Sequence, residues 1–403
     1  MNRRVTMADV AQRAGVHVTT VSLALRNHPS LPPCTRKRLQ DLAKKMGYEP
    51  DPALSALVAY RHRTRPRVDR PILAYVTHWD TPWGWKASAA HSDFFDGATE
   101  KAALLGYQLE HFWLGEPGLT HRRLSGILYA RGITGLIIAS HRPDARTALD
   151  FDWSRFSAVK IDYSPPEPKL HLVTNDQSAI VRLAVQRVLA AGYRRIGFVM
   201  PRWWDEFVDL AWSAGFLTEQ QRIPRVERIP ILFYSTAAVP KNPPDEGPEY
   251  VISREALEKW LGVHQPEVLI SRPLFVQSRL SELGLSIPGD LGLVDILLEK
   301  TDGAIAGVYQ NCHRVGEIAV EILTGQLHQN VHGIPAIPTA TYVEGTWFNG
   351  ASLPERQPDR TGAVKRRGNA VLALSSSGGY SVGRKENHST VRETINFKTR
   401  LSC

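Results

Sequence analysis

Residues 8–25 read ADVAQRAGVHVTTVSLAL. Val10, Ala11 and Ala14 fall on one helical face, the pattern stops at Gly15, and a second apolar face resumes from Val18. Thr6 followed three residues later by Asp9 is a capping-box variant, which predicts a helix starting at Met7. Gly15 ends that helix because a tight reversal needs a residue that tolerates φ > 0. The second helix is predicted from Val18 to Leu25, burying Val21 with Ala24 or Leu25, and the small Ala11 lets it cross at close range. Asn27 suits a left-handed cap. A third helix from Cys34 to Met46 lays Leu39, Leu42, Ala43 and Met46 on the pair, with Gly47 closing it. The buried side is small, and the outward side is short, uncharged and hydrogen-bonding. That suits close approach to a flat, polar surface.

Two short helices joined by a glycine turn form a helix-turn-helix, whose second helix can enter the major groove of DNA. The alternative is a helical hairpin of packing value only. Charge distribution favours DNA. The 403-residue chain carries a net +9, but residues 1–70 hold 14 Lys and Arg against 5 Asp and Glu, and residues 356–403 hold 10 against 3. The middle, 71–355, holds 25 against 32. A basic head on an acidic body fits a polyanion contacted at one end. The second helix presents His17, Val18, Thr19, Thr20, Ser22, Leu23 and Arg26. Val18, Thr19 and Leu23 are placed to reach base edges. Thr6, Ser22, Arg26 and Thr35 suit phosphate contacts, which set register without reading sequence.

Four regions follow from composition and periodicity: a helix-turn-helix domain at 1–50, a hinge and linker at 51–70, a core at 71–353 and a basic tail at 356–403. In the hinge, Asp51 and Pro52 start a helix too short to hold alone in water, so it should fold only when docked. Leu57 would then need an apolar home. A minor-groove base step supplies one and kinks the duplex, with Ala53 and Leu54 beside it; packing of Leu54, Leu57 and Val58 on the body is the alternative. The core alternates short apolar runs (Ile72–Val76, Gln108–Phe112, Gly135–Ala139, Ala158–Ile161, Ile196–Met200) with amphipathic stretches. Strand and helix at this spacing mean βαβ units and parallel sheets. The pattern pauses at the proline-rich 163–168 and restarts, which splits the core into two lobes. Lobe 1 is drawn at about 71–163 and 304–332, lobe 2 at about 164–303 and 333–353. The tail is Ser/Gly-rich and aperiodic, the composition of a disordered segment. The fold class is therefore α/β: an all-α head on a two-lobed core.

VTMADVAQRAGVHVTTVSLAL, then TRKRLQDLAKKMGYEPDPALSAL, resembles the head and hinge of the lactose-repressor (LacI/GalR) family of bacterial transcription regulators. The resemblance continues through RPILAYV, GITGLIIA, VTND, LAAGYRRIGFV, IPGDLGLVDI and TATYVEG, over about residues 5–350. It implies a homodimer on a palindromic double-stranded DNA operator and a core like that of periplasmic sugar-binding proteins. It also matches Leu57 to the leucine that wedges DNA. Such a core binds ligand at the carboxyl ends of its strands, between the lobes. Candidate effector residues are Trp79, His141, Asp162, Arg202, Trp203, Trp212, Arg272, Asp295 and Gln310. Asp162 and Gln310 match family positions that meet the effector. Two departures stand out: Trp212 occupies a position that is commonly Arg, and Arg272-Pro273 replaces a common Asn-Asp pair. Tryptophans can stack on sugar faces, and they also simply fill cores.

The function expected is a DNA-binding transcription regulator, a repressor, responding to a small molecule with sugars among the candidates. The alternatives are a periplasmic-type receptor without a DNA role and an effector-independent DNA-bending protein. No GxSxG, HExxH, GxGxxG or GxxxxGK[ST] motif occurs, so no enzyme is expected. The distant cysteines Cys34, Cys312 and Cys403 suit a reduced cytoplasm, and neither a metal nor a cofactor is expected. The longest apolar runs are strand-length, and the N-terminus has no signal-like apolar stretch, so no membrane partner is expected.

Overall fold

The computed structural model describes residues 5–25, 27–28, 30–48, 70–142, 148–235 and 251–356. The predicted hinge with Ala53, Leu54 and Leu57, together with Arg26 and the tail from 357, lies outside them.

The head is three helices: α1 (Met7–Ala14), α2 (Val18–Leu25) and α3 (Pro33–Lys45). Thr6 and Asp9 form both halves of the capping box, and Gly15 reverses the chain at φ 67°, ψ 31°. Val10, Ala11, Val21, Ala24, Leu39 and Ala43 are buried together. Val5, Val16, Leu25, Leu42, Met46 and Tyr48 pack partly buried against this small aliphatic centre. Asn27 takes the left-handed cap at φ 55°. From α3, Gln40 Nε2 donates to Ala24 O at 2.8 Å and to the side-chain Oδ1 of Asn27 at 2.6 Å, tying α3 to the end of α2.

Among the described residues, the core holds two six-stranded sheets. The first contains β1 (Ile72–His78), β2 (Gln108–Trp113), β3 (Gly135–His141), β4 (Ser157–Ile161), β5 (His171–Asn175) and β11 (Ala340–Val343). Their order is β11-β5-β4-β3-β1-β2, and every pair is parallel. β3 and β4 are buried along their whole length, as strands covered on both faces must be. Helices α4 (Ala89–Leu104) and α11 (Cys312–Gln329) cover one face, and α5 (His121–Ala130) covers the other. The second sheet holds β6 (Ile196–Pro201), β7 (Leu232–Tyr234), β8 (Val268–Ile270), β9 (Gly292–Asp295), β10 (Ala306–Tyr309) and β12 (Thr346–Phe348). It runs β12-β10-β9-β8-β6-β7, and β12 is antiparallel to β10. On one of its faces lie α6 (Gln177–Ala190) and α8 (Ala211–Gln220), with the short α7 (Arg202–Phe207) before α8. The other face carries α9 (Arg254–His264) and α10 (Pro273–Glu282).

The lobe boundaries drawn from sequence need correction. β5 belongs to the first sheet although 164 onward was assigned to lobe 2. β10 belongs to the second sheet although 304 onward was assigned to lobe 1, and β11 returns to the first although 333 onward was assigned to lobe 2. The proline-rich 163–168 segment is thus a loop within lobe 1. Buried Lys160 holds it by donating to Tyr163 O at 3.2 Å and Pro165 O at 2.8 Å. A break in periodicity looks the same whether the chain changes lobe or merely turns. The crossings instead follow β5, β10 and β11, where the next element packs on the other sheet. Among the described residues, no helix is long and apolar enough to cross a membrane.

Candidate nucleic-acid interface and interlobe site

On the head, His17, Val18 and Thr19 are exposed at the start of α2, while Thr20, Ser22 and Leu23 are half-buried. The fully exposed members of the expected contact face thus stand at the helix N-terminus. Residues at that end of a recognition helix are the ones that meet base edges. The carbonyl of His17 accepts from Thr20 N at 2.9 Å, and its ring Nδ1 accepts from Thr19 N at 3.3 Å, so His17 caps α2. Thr6 is exposed and caps α1, and Thr35 is half-buried in the first turn of α3. Lys37, Arg38, Lys44 and Lys45 are exposed along α3 and give the head its cationic surface.

In the core, the predicted effector residues do lie at carboxyl ends of strands, with Trp212 in α8 the exception. Their surroundings differ from expectation. Trp212 is buried, and its indole N–H donates to Gln177 Oε1 at 2.6 Å. Gln310, also buried, donates through Nε2 to Gln177 Oε1 at 3.2 Å and to Ile296 O at 2.9 Å. Asn175 donates to the Gln310 carbonyl. Two of the chain's crossings are thereby tied to each other through buried amides. Arg272 pairs with Glu299 and stands 4.0 Å from Asp295 Oδ1, with its guanidinium 5.6 Å from the Trp204 ring. Burial holds the Asp295 carboxyl above its usual range, and Arg272 only partly offsets that. The cation that replaces the common Asn is thus neutralised internally. Arg202 is exposed, with its guanidinium 4.5 Å from the Phe233 ring, and Trp203 stacks edge-on against Trp204.

Across the first lobe, Trp79 and His141 are buried and Asp162 is half-buried. His141 Nε2 lies 3.3 Å from Val76 O, and burial lowers its pKa to about 3, so the ring is neutral. His91, 3.1 Å from Ser140 Oγ, is lowered to about 4 for the same reason. Asp162 accepts from Thr174 Oγ1 at 3.0 Å, and burial raises its pKa.

Between the lobes lies a cavity of about 160 Å³, lined by Tyr163, Asp176, Gln177, Ser178, Val208, Asp209, Ala211 and Tyr342. None of the nine predicted effector residues lines it. Gln177, Asp209 and Tyr342 gave no sequence signal, because polar residues at a helix start, a turn or an edge strand read as solvated surface.

Residues 6–51 match the family described as bacterial regulatory proteins, lacI family. The sucrose operon repressor of Escherichia coli is 28% identical over 51% of this chain and 63% of its own length. The transcriptional repressor CytR of Escherichia coli K12 is 21% identical over 80% of this chain and 89% of its own length. The chain spans between about half and two thirds of the length of the curated relatives it matches at 27–28% identity. A lac repressor dimer bound to operator and an anti-inducer superposes with a TM-score of 0.50 at 17% identity, covering 87% of this chain and all of that one. That likeness shows the fold: a helical head on two parallel-sheet lobes. The capped, glycine-turned head thus matches the model of the lacI family of bacterial regulatory proteins, and the core shares the fold of the lac repressor.

Proposed function

We propose that this protein is a sequence-specific DNA-binding transcription regulator that acts as a repressor. It occupies a palindromic operator as a homodimer, and a small molecule held between the lobes sets its affinity. The observation that carries this is the start of α2. His17, Val18 and Thr19 stand exposed beyond a Gly15 reversal, on a head with a cationic α3. Repressor names among the relatives support the same reading. The tyrosine hydroxyls and carboxylates that line the interlobe cavity suit a polyol, so a sugar is the ligand class we favour. Signalling would run through rotation of one lobe on the other about the crossings.

The test is selection of bound duplexes from a random library by the full chain, followed by gel shifts with the selected site. Specific binding should fall several log units per log unit of salt if a dimer covers about 6–10 phosphates. Recovery of no preferred sequence would sink the proposal. A second reading, a regulator blind to small molecules, draws support from the cavity. Its volume of about 160 Å³ falls below the ~300–1,000 Å³ usual for ligand pockets. Operator affinity that no sugar shifts would favour it.

A further inference from the structure

We propose that His17 fixes the Thr19 hydroxyl with its proton turned inward, so that Thr19 offers the major groove a hydrogen-bond acceptor and takes an amino-bearing base, adenine or cytosine. This deepens the operator reading above and rests on it.

Two contacts on one ring nitrogen settle the direction. His17 Nδ1 accepts the Thr19 amide at 3.3 Å. A backbone N–H can only donate, so Nδ1 carries no proton and the imidazole proton sits on Nε2. The same Nδ1 contacts Thr19 Oγ1. With no proton on the nitrogen, that contact requires the hydroxyl to donate. A hydroxyl has a single proton, so Oγ1 retains only lone pairs for any outside partner. Both residues are exposed at the α2 N-terminus, the end that meets base edges. Major-groove donors are adenine N6 and cytosine N4; guanine O6 and N7 and thymine O4 are acceptors and would meet lone pair with lone pair. A threonine free to rotate its hydroxyl would accept either kind of edge. His17 acts here as a positioning residue, since its effect on the base passes through Thr19.

Every base pair presents one amino group in the major groove, adenine N6 or cytosine N4, so the test works at single atoms. A random-library selection with the full chain defines the operator, and Thr19→Val identifies the position whose preference changes. In that operator, purine replaces adenine, or 2-pyrimidinone replaces cytosine, deleting the amino group; 7-deazapurines delete N7 instead. Deleting the amino group should weaken the unmodified protein about two- to tenfold, the range of one net hydrogen bond. It should cost Thr19→Val nothing beyond the general effect on the duplex. His17→Ala should lose this coupling and His17→Asn, whose Oδ1 can accept both contacts, should restore it. Coupling of Thr19 to N7, or no coupling to either atom, would overturn the proposal. So would coupling to the amino group that survives in His17→Ala. If His17→Ala binds no DNA at all, the Thr19 cycle and His17→Asn still decide. A chain that selects no sequence sinks the operator reading itself, a different result from selection without amino coupling.

Discussion

The indole N–H of Trp212 and the side-chain carbonyl of Gln177 meet at 2.6 Å inside the second lobe, next to the strand crossings. Trp212 is 4% exposed. The position that the family resemblance implied for effector contact is therefore filled by a side chain that faces the core. Trp212→Phe keeps most of the apolar contact and removes the donor. It should lower stability by about 1–2 kcal/mol, measured by urea unfolding. A stable variant that had lost only small-molecule affinity would show that Trp212 serves as a ligand platform instead.

Arg272 holds Asp295 and Glu299 at the end of β8. Arg272→Met should strand a buried carboxylate and cost about 3 kcal/mol at pH 7.5. The sign of its pH dependence follows from Asp295, whose folded pKa is raised by burial. The folded state then binds the proton more tightly than the unfolded chain, so this group's contribution worsens as pH rises above the ordinary carboxylate range. The deficit of Arg272→Met should shrink at pH 5 and largely vanish in the double variant with Asp295→Asn. Denaturation curves of the four proteins at both pH values would measure this.

His141 behaves in the opposite direction. Its folded pKa, lowered from 6.5 to about 3, means that the neutral ring belongs to the folded state. The stability it contributes is complete above 6.5 and is lost as pH falls from there toward 3. Over the upper part of that window, down to pH 5, the loss should be on the order of 1–2 kcal/mol. His141→Asn should flatten that part of the profile, and an unchanged profile would place the acid sensitivity elsewhere.

α4 and α11 cross backbone to backbone at two glycines. A Cβ on Gly316 would lie 2.0 Å from Phe94 O, and one on Gly97 would lie 1.9 Å from His313 O. Backbone atoms cannot yield as a flexible side chain would. Gly316→Ala should therefore cost about 3 kcal/mol or more in thermal or urea unfolding, at the upper end of overpacking penalties. A neutral result would mean that the helices separate readily.

For the hinge, Leu57→Ala should lower affinity for the selected operator while sparing nonspecific DNA binding, compared by gel shift at one salt concentration. Equal loss of both would remove Leu57 as a wedge.

What the sequence determined by itself is local. The capping box at Thr6 and Asp9, the φ > 0 requirement at Gly15 and Asn27, and the periods of α1, α2 and the core strands are written in neighbouring residues. Backbone sterics act over only a few positions, so such features can be read from the chain. The tertiary structure alone decided which strands share a sheet. Burial and parallel pairing join β5 to β11 across more than 160 residues, and a proline-rich pause carries no such information. It also decided that Trp212, Asp295 and Gln310 turn inward, because a side chain's partner depends on what packs opposite it. The orientation of the Thr19 hydroxyl lies between these levels: the two residues are neighbours, but only folding brings the His17 ring onto the helix start.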